Sequence, residues 1–271
     1  MDDKNIRKGI SATEARITSE LVAEGNSIIS LDDIEKKTGS RIMARKVASS
    51  LARKRWLARI GRGVYLVLSL NAGSRPEWTE DRYYIASRLA DVYYIGYYNM
   101  LNHYGWTEQI PMKVIIVVAK PFKSRFIFGV EYRFITLGKK KFFGIEKKRI
   151  GEHEIMVSDQ EKTLVDALDH PEYCGGIEEV AKCLYNAQSE VDWEKILSYA
   201  KTMGNGAVFK RLGYLVEIME LNLSEAFRER ILSGVTKGYS PLHPGGKKEG
   251  KHDSKWNLIL NADIRKSGVL A

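Results

Sequence analysis

From Lys36 to Arg62 the chain carries ten basic residues and no acidic one, and inside that stretch apolar residues recur at Ala44, Val47, Ala48 and Leu51. At roughly 100° per residue these four share one side of a helix. Arg41, Arg45, Lys46, Ser49 and Arg53 fall on another side. A helix of this kind buries one face and turns a cationic one outward, which calls for a fold that presents it to an anion.

The flanking residues supply the rest of a small module. Ser11, Thr13 and Glu14 open a first helix, with Ala15, Leu21 and Val22 as its apolar positions and Gly25-Asn26 as its end. After Ile28-Ile29, Ser30 caps a short second helix whose Asp32 and Asp33 suit its N-terminal dipole, and Thr38-Gly39 stops it. Ser40 then caps the basic helix, which runs to about residue 55. Residues 56–67 read as two short strands around Gly61-Arg62-Gly63, a turn in which glycine takes positive φ. Helix, short helix, basic helix and two-stranded wing is the order of a winged helix-turn-helix, whose third helix enters the major groove of duplex DNA. The expected contacts are Arg41, Arg45, Lys46, Ser49 and Arg53 on that helix, with Arg able to pair with guanine and Ser49 with a base or a phosphate. Arg59 and Arg62 would reach phosphate or the minor groove from the wing.

The charge distribution agrees with this placement. Residues 1–67 hold 14 Lys and Arg against 8 Asp and Glu, which accounts for most of the formal net charge of +9. The longest purely apolar run, Val114 to Ala119, is too short to cross a bilayer, and residues 1–23 carry charges where a signal peptide needs its apolar core. A cytoplasmic location and no membrane partner are expected. Cys174 and Cys183, the only cysteines, have neither zinc-pair nor disulfide-framework spacing, so both are expected reduced and packed on helices.

Asn71 to Pro76 reads as a linker, giving a winged helix-turn-helix domain over 1–70 and a second domain over 71–271. In the second, residues 79–92 and 97–106 read as helices, and 112–119, 128–137 and 153–157 as strands. From Ser158 onward the pattern is helical. The fold class is therefore α+β, with a mixed α/β C-terminal domain built as a sheet followed by a helical bundle. The tyrosines between Tyr83 and Tyr104 have helical spacing and read as packing against that sheet. Two basic clusters, Lys139 to Arg149 and Lys247 to Lys255, read either as solubilising loops or as a second nucleic-acid surface.

The blocks RKRWLARIGRGVYLV, GWTEQIPMKVIIVVA, VSDQEKTLVDAL, CGGIEEVAKCL and FKRLGYLVEIME, in this order between Ser11 and Leu221, resemble the AbiEi antitoxins of two-gene toxin–antitoxin systems. Residues 239–263 resemble the closing segment of that family more weakly. The resemblance implies a winged-helix domain that represses its own promoter, and a C-terminal domain that counters an AbiEii-like nucleotidyltransferase toxin, a pairing tied to phage defence. It also marks Ser158, Glu161, Thr163, Asp166, Arg211 and Gly213. Ser158 reads as a helix N-cap with Glu161 completing a capping box, and Gly213 as a point of close packing. Arg211 is left as the candidate antitoxin residue.

An enzymatic alternative is a metal-dependent nuclease drawing on Glu131, Asp159 and Glu161. Its strand motif would need a lysine where Glu131-Tyr132-Arg133 has Arg133. No two of the five histidines have zinc-pair spacing, no phosphate-binding loop or nucleophile elbow is present, and His103 reads as a core histidine. No catalytic residue, metal or cofactor is expected. A winged-helix regulator without a toxin partner is the remaining alternative.

Overall fold

The computed structural model describes residues 6–68 and 80–264. The expected linker at residues 71–76 lies outside them. The fold is α+β, and the chain divides into two compact units, Met1–Asp91 with Phe126–Val130, and Val92–Arg125 with Glu131–Ala271.

In the first unit the order is α1 (Ala12–Ala23), β1 (Ile28–Ser30), α2 (Leu31–Thr38), α3 (Arg41–Arg53), β2 (Leu57–Gly61), β3 (Val64–Val67) and, later, α4 (Arg82–Ser87). Capping fixes the first two helices. Ser11 and Glu14 exchange hydrogen bonds across the start of α1, as Ser30 and Asp33 do for α2. Gly39, at φ 69°, ends α2 in the left-handed conformation that glycine adopts without penalty. Ser40 stands at the N-cap of α3, but its side chain makes no capping bond. Strands β1, β3 and β2 form an antiparallel sheet in that order. Its core joins Ile17, Leu21, Ile29, Ile34, Ala44, Val47, Ala48, Leu51 and Leu57. Helix α1 thus buries Ile17 and Leu21, with Glu14 and Thr18, while Val22 stays exposed. The expected apolar face was rotated, because a buried carboxylate satisfied by partners displaces the simple hydrophobic spacing. The helix expected over 79–92 is confined to α4, since Tyr93 onward is drawn into a sheet.

From Val92 onward the order is β4 (Tyr93–Ile95), α5 (Tyr98–His103), β5 (Lys113–Val118), β6 (Arg125–Ile127), β7 (Val130–Thr136), β8 (Ile145–Ile150) and β9 (His153–Ser158). These strands make a six-stranded mixed sheet of order β6-β7-β5-β4-β9-β8, with β5 parallel to β7 and β4 parallel to β9. Then come α6 (Gln160–Asp169), α7 (Ile177–Ala187), α8 (Trp193–Met203), α9 (Gly206–Ile218) and α10 (Glu225–Ser233), and a small sheet of β10 (Ser240–Pro241), β11 (Lys251–Asp253) and β12 (Leu258–Leu260). Helix α6 is buried from Glu161 to Asp169 and packs against α5, α7, α8, α9 and β9. A helix enclosed on all sides is the hub of its domain. Tyr94 and Tyr97 join its core together with Trp106, so these tyrosines are packed inside as expected, but Tyr94 stands on strand β4 and not on the helix that the tyrosine spacing suggested.

Candidate nucleic-acid interface

Helix α3 holds the expected polarity. Ala44, Val47, Ala48 and Leu51 are buried, whereas Arg45, Lys46, Ser49 and Arg53 are exposed. Helix α2 packs beside it, so the outward residues project from a supported rod. Arg41 departs from the expectation. Its guanidinium is ion-paired with Asp32 and, at 2.8 Å, with Glu35, and the hydrogen bonds it donates to these two carboxylates raise its pKa above the ordinary value. It ties α3 to α2 and is removed from the set of free cations. Arg59 and Arg62 are both exposed on the β2–β3 hairpin, where Gly63 turns at φ 72° and Arg59 Nε donates to the Gly61 carbonyl at 3.2 Å. Among the described residues of this stretch, the cations left facing outward are therefore Arg45, Lys46 and Arg53 on α3, with Arg62 at the hairpin turn.

The charge pattern passes over one side chain. Ile42, in the first turn of α3, is 69% exposed, and Met43 beside it is exposed too. At roughly 100° per residue Ile42 falls in one stripe with Lys46, Ser49 and Arg53, opposite the buried face. The signal was present in the sequence as an apolar residue outside the core spacing.

Glu14 anchors the base of the module. Burial raises its pKa, but hydrogen bonds from Lys54, Ser50 and Ser11 outweigh that and hold the carboxyl at about 2; Lys54 Nζ lies 2.6 Å away. The basic run thus contains at least two cations, Arg41 and Lys54, that serve the fold.

In the second unit the residues marked by resemblance are brought together around α6, and their partners are internal. Asp159, not Ser158, is the N-cap of α6, accepting from the Lys162 amide at 2.8 Å. Ser158 ends β9, and its Oγ lies 2.6 Å from Thr163 Oγ1. The expected capping box is absent because the strand runs one residue further than its hydrophobic pattern showed. Glu161 instead accepts from the Asp192 amide at 3.0 Å and pairs with Lys195 at 2.7 Å. Asp166, wholly buried, pairs with Lys162 and accepts from Tyr94 Oη at 2.8 Å. Burial raises the Asp166 pKa, and Lys162 opposes the shift.

Arg211 on α9 is 3% exposed. It donates to the carbonyls of Leu168 at 2.7 Å and Asp169 at 3.1 Å, and to those of Pro241 and Leu242 at 3.0 Å each. The first two belong to the last turn of α6, whose carbonyls have no partner within the helix. Burial lowers the Arg211 pKa to about 10. This guanidinium closes α6 and fastens the chain around β10 with four of its five N–H donors. Gly213 is a point of close packing as expected, since a Cβ there would overlap the Trp256 ring.

Two of the three nuclease candidates have structural partners, while Glu131 stands half-buried on β7. Asp159 caps α6 and accepts from Tyr199 Oη at 2.9 Å, and Glu161 is paired as above. Among the described residues no group of His, Cys, Asp and Glu is placed to hold a metal ion. His103 is half-buried, not core, with its pKa lowered by burial and by Lys148. Cys174 and Cys183 are free and buried; Cys183 lies on α7, and Cys174 follows the short turn Pro171–Tyr173.

Some cations of the two basic clusters have partners within the fold. Lys141 pairs with the buried Asp169 at 2.6 Å, and Lys147 with Glu154 at 3.1 Å. Lys148 stands 4.2 Å from the Tyr104 ring centroid, and Lys255 bonds Glu217 at 2.8 Å. Strand β8, which carries Lys147, Lys148 and Arg149, is an outer strand of its sheet. Charge there opposes edge-to-edge association.

Among the described residues no helix is long and apolar enough to cross a membrane. The architecture places the chain among α+β proteins with a helix-rich C-terminal half. No family model and no curated protein matches it. Among solved structures it is similar to the Rv2827c protein from Mycobacterium tuberculosis, at 14% identity and a TM-score of 0.67, over 99% of this chain and 97% of that one. At that identity the likeness establishes the fold alone.

Proposed function

We propose that this chain is a DNA-binding transcriptional regulator, not an enzyme, whose N-terminal residues act as a winged helix-turn-helix. In this reading α3 enters the major groove, and the β2–β3 hairpin is the wing that lays Arg59 and Arg62 along the backbone or minor groove. The observation that carries it is the polarity of α3, with Arg45, Lys46, Ser49 and Arg53 outward and without acidic neighbours on the helix, over a face closed by Val47 and Leu51. The resemblance to AbiEi antitoxins extends the reading. The protein would repress its own operon in the cytoplasm and counter a nucleotidyltransferase-like toxin encoded with it.

The test of DNA binding uses the full chain and a fluorescent random-sequence duplex at rising salt. For about 6 to 10 phosphate contacts, affinity falls by roughly 10³ to 10⁵ between 50 and 200 mM salt as counterions are released. Arg45→Ala weakens binding to a selected sequence by about 1 to 3 kcal/mol if it pairs with a base. Salt-independent binding, or none, overturns the reading. The antitoxin part has its own assay, which is growth of cells expressing a nucleotidyltransferase from the adjacent gene with and without this chain.

A further inference from the structure

The exposed apolar side chain in the middle of a cationic face calls for an occupant. Ile42 is 69% exposed, lies opposite the buried face of α3, and shares its stripe with Lys46, Ser49 and Arg53. Leaving it in water forgoes the burial that a large aliphatic side chain would gain. A second copy of the chain fits poorly as the occupant, because it would bring the same arginines and lysine against themselves. A polyanion fits, and within the major groove of duplex DNA the apolar group on offer is the 5-methyl of thymine.

Two features prepare Ile42 for that contact. A β-branched side chain on a helix holds one strongly preferred χ1 rotamer, so its methyl groups point in a fixed direction. The turn that carries it is held as well, since the preceding residue, Arg41, is ion-paired to Asp32 and Glu35 of α2. We propose that Ile42 is a specificity-determining residue that reads a thymine 5-methyl group, while Arg45, Lys46 and Arg53 around it supply contacts to base edges and phosphates. The inference rests on the proposed DNA binding, and its test separates the two.

The full-length protein is used to select a preferred sequence from a random duplex library. Each thymine of that sequence is then replaced in turn by deoxyuridine, which keeps the hydrogen-bonding edge and lacks only the methyl. At one thymine the replacement weakens binding of the parent protein about three- to fivefold, the worth of one buried methyl. Ile42→Ala binds the thymine and uracil duplexes alike and melts with the parent, because the side chain it loses is exposed. If a sequence is selected but no uracil replacement changes parent affinity, Ile42 does not read thymine and the DNA-binding proposal stands. If Ile42→Ala keeps the full thymine preference, the assignment to this residue is overturned. A change in sedimentation of Ile42→Ala with no uracil effect would make the face an interface between copies. Failure to enrich any sequence, together with an absence of salt-dependent binding, removes the DNA-binding reading itself.

Discussion

Individual charges in this protein divide between those that hold the fold and those that face water. Glu14 is of the first kind, and its pKa of about 2 against an ordinary 4.5 makes its contribution depend on pH. The sign follows from proton uptake. A carboxylate depressed in the folded state stabilises fully above the unfolded pKa and loses that contribution as pH falls through the folded one. Glu14→Gln should therefore be less stable than the parent at neutral pH, and the gap in urea midpoint should close between pH 4.5 and about 2. A gap constant across that window would show that the folded carboxyl titrates normally. Arg211 makes the same point with the opposite charge. Its planar fork bridges two carbonyls ending α6 and two around β10, a geometry that the single ammonium of lysine cannot reproduce. Both Arg211→Ala and Arg211→Lys should cost about 3 kcal/mol or more in chemical denaturation, because buried carbonyls lose their donors. Stability equal to the parent would show that these hydrogen bonds contribute little to holding the fold.

Elements show which local rules survive packing. The caps of α1 and α2 and the glycine that ends α2 were legible because each depends on residues within four positions of one another. The start of α6 was not, since β9 takes Ser158 into a strand and moves the cap to Asp159. Strand β8 was hidden for a different reason. Its sequence is dominated by charge because it lies at a sheet edge, where hydrophobic alternation is not required. In α9 propensity and packing oppose each other. Alanine favours a helix interior over glycine by about 1 kcal/mol, yet a Cβ on Gly213 would overlap the Trp256 ring. Trp256 is fixed by its Nε1–H bond to Glu217 at 2.7 Å, so packing should win. Gly213→Ala is expected to lose about 1 to 3 kcal/mol, with a change in tryptophan fluorescence as the ring moves. An equal or higher melting temperature would show that the indole yields freely.

At the scale of the molecule, the described residues include two hydrophobic cores that are separate in sequence, one built on α1 to α3 and the sheet of β1, β3 and β2, the other around α6. Leu51→Ala should destabilise the first by about 2 to 5 kcal/mol. Hydrogen exchange is then expected to rise in α1, α2 and α3 while the amides of α6 and α9 keep their protection. Equal loss in both would show one cooperative unit. The sequence by itself determined the α+β class, the buried and outward faces of α3, the capped helices before it and the strands with strong hydrophobic pattern, because these depend on neighbours a few residues apart and on periodicity. Tertiary structure alone decided which cations are free. Arg41 meets α2 and Arg211 meets carbonyls thirty or more residues away along the chain, and no local pattern encodes the partner of a long, flexible, charged side chain.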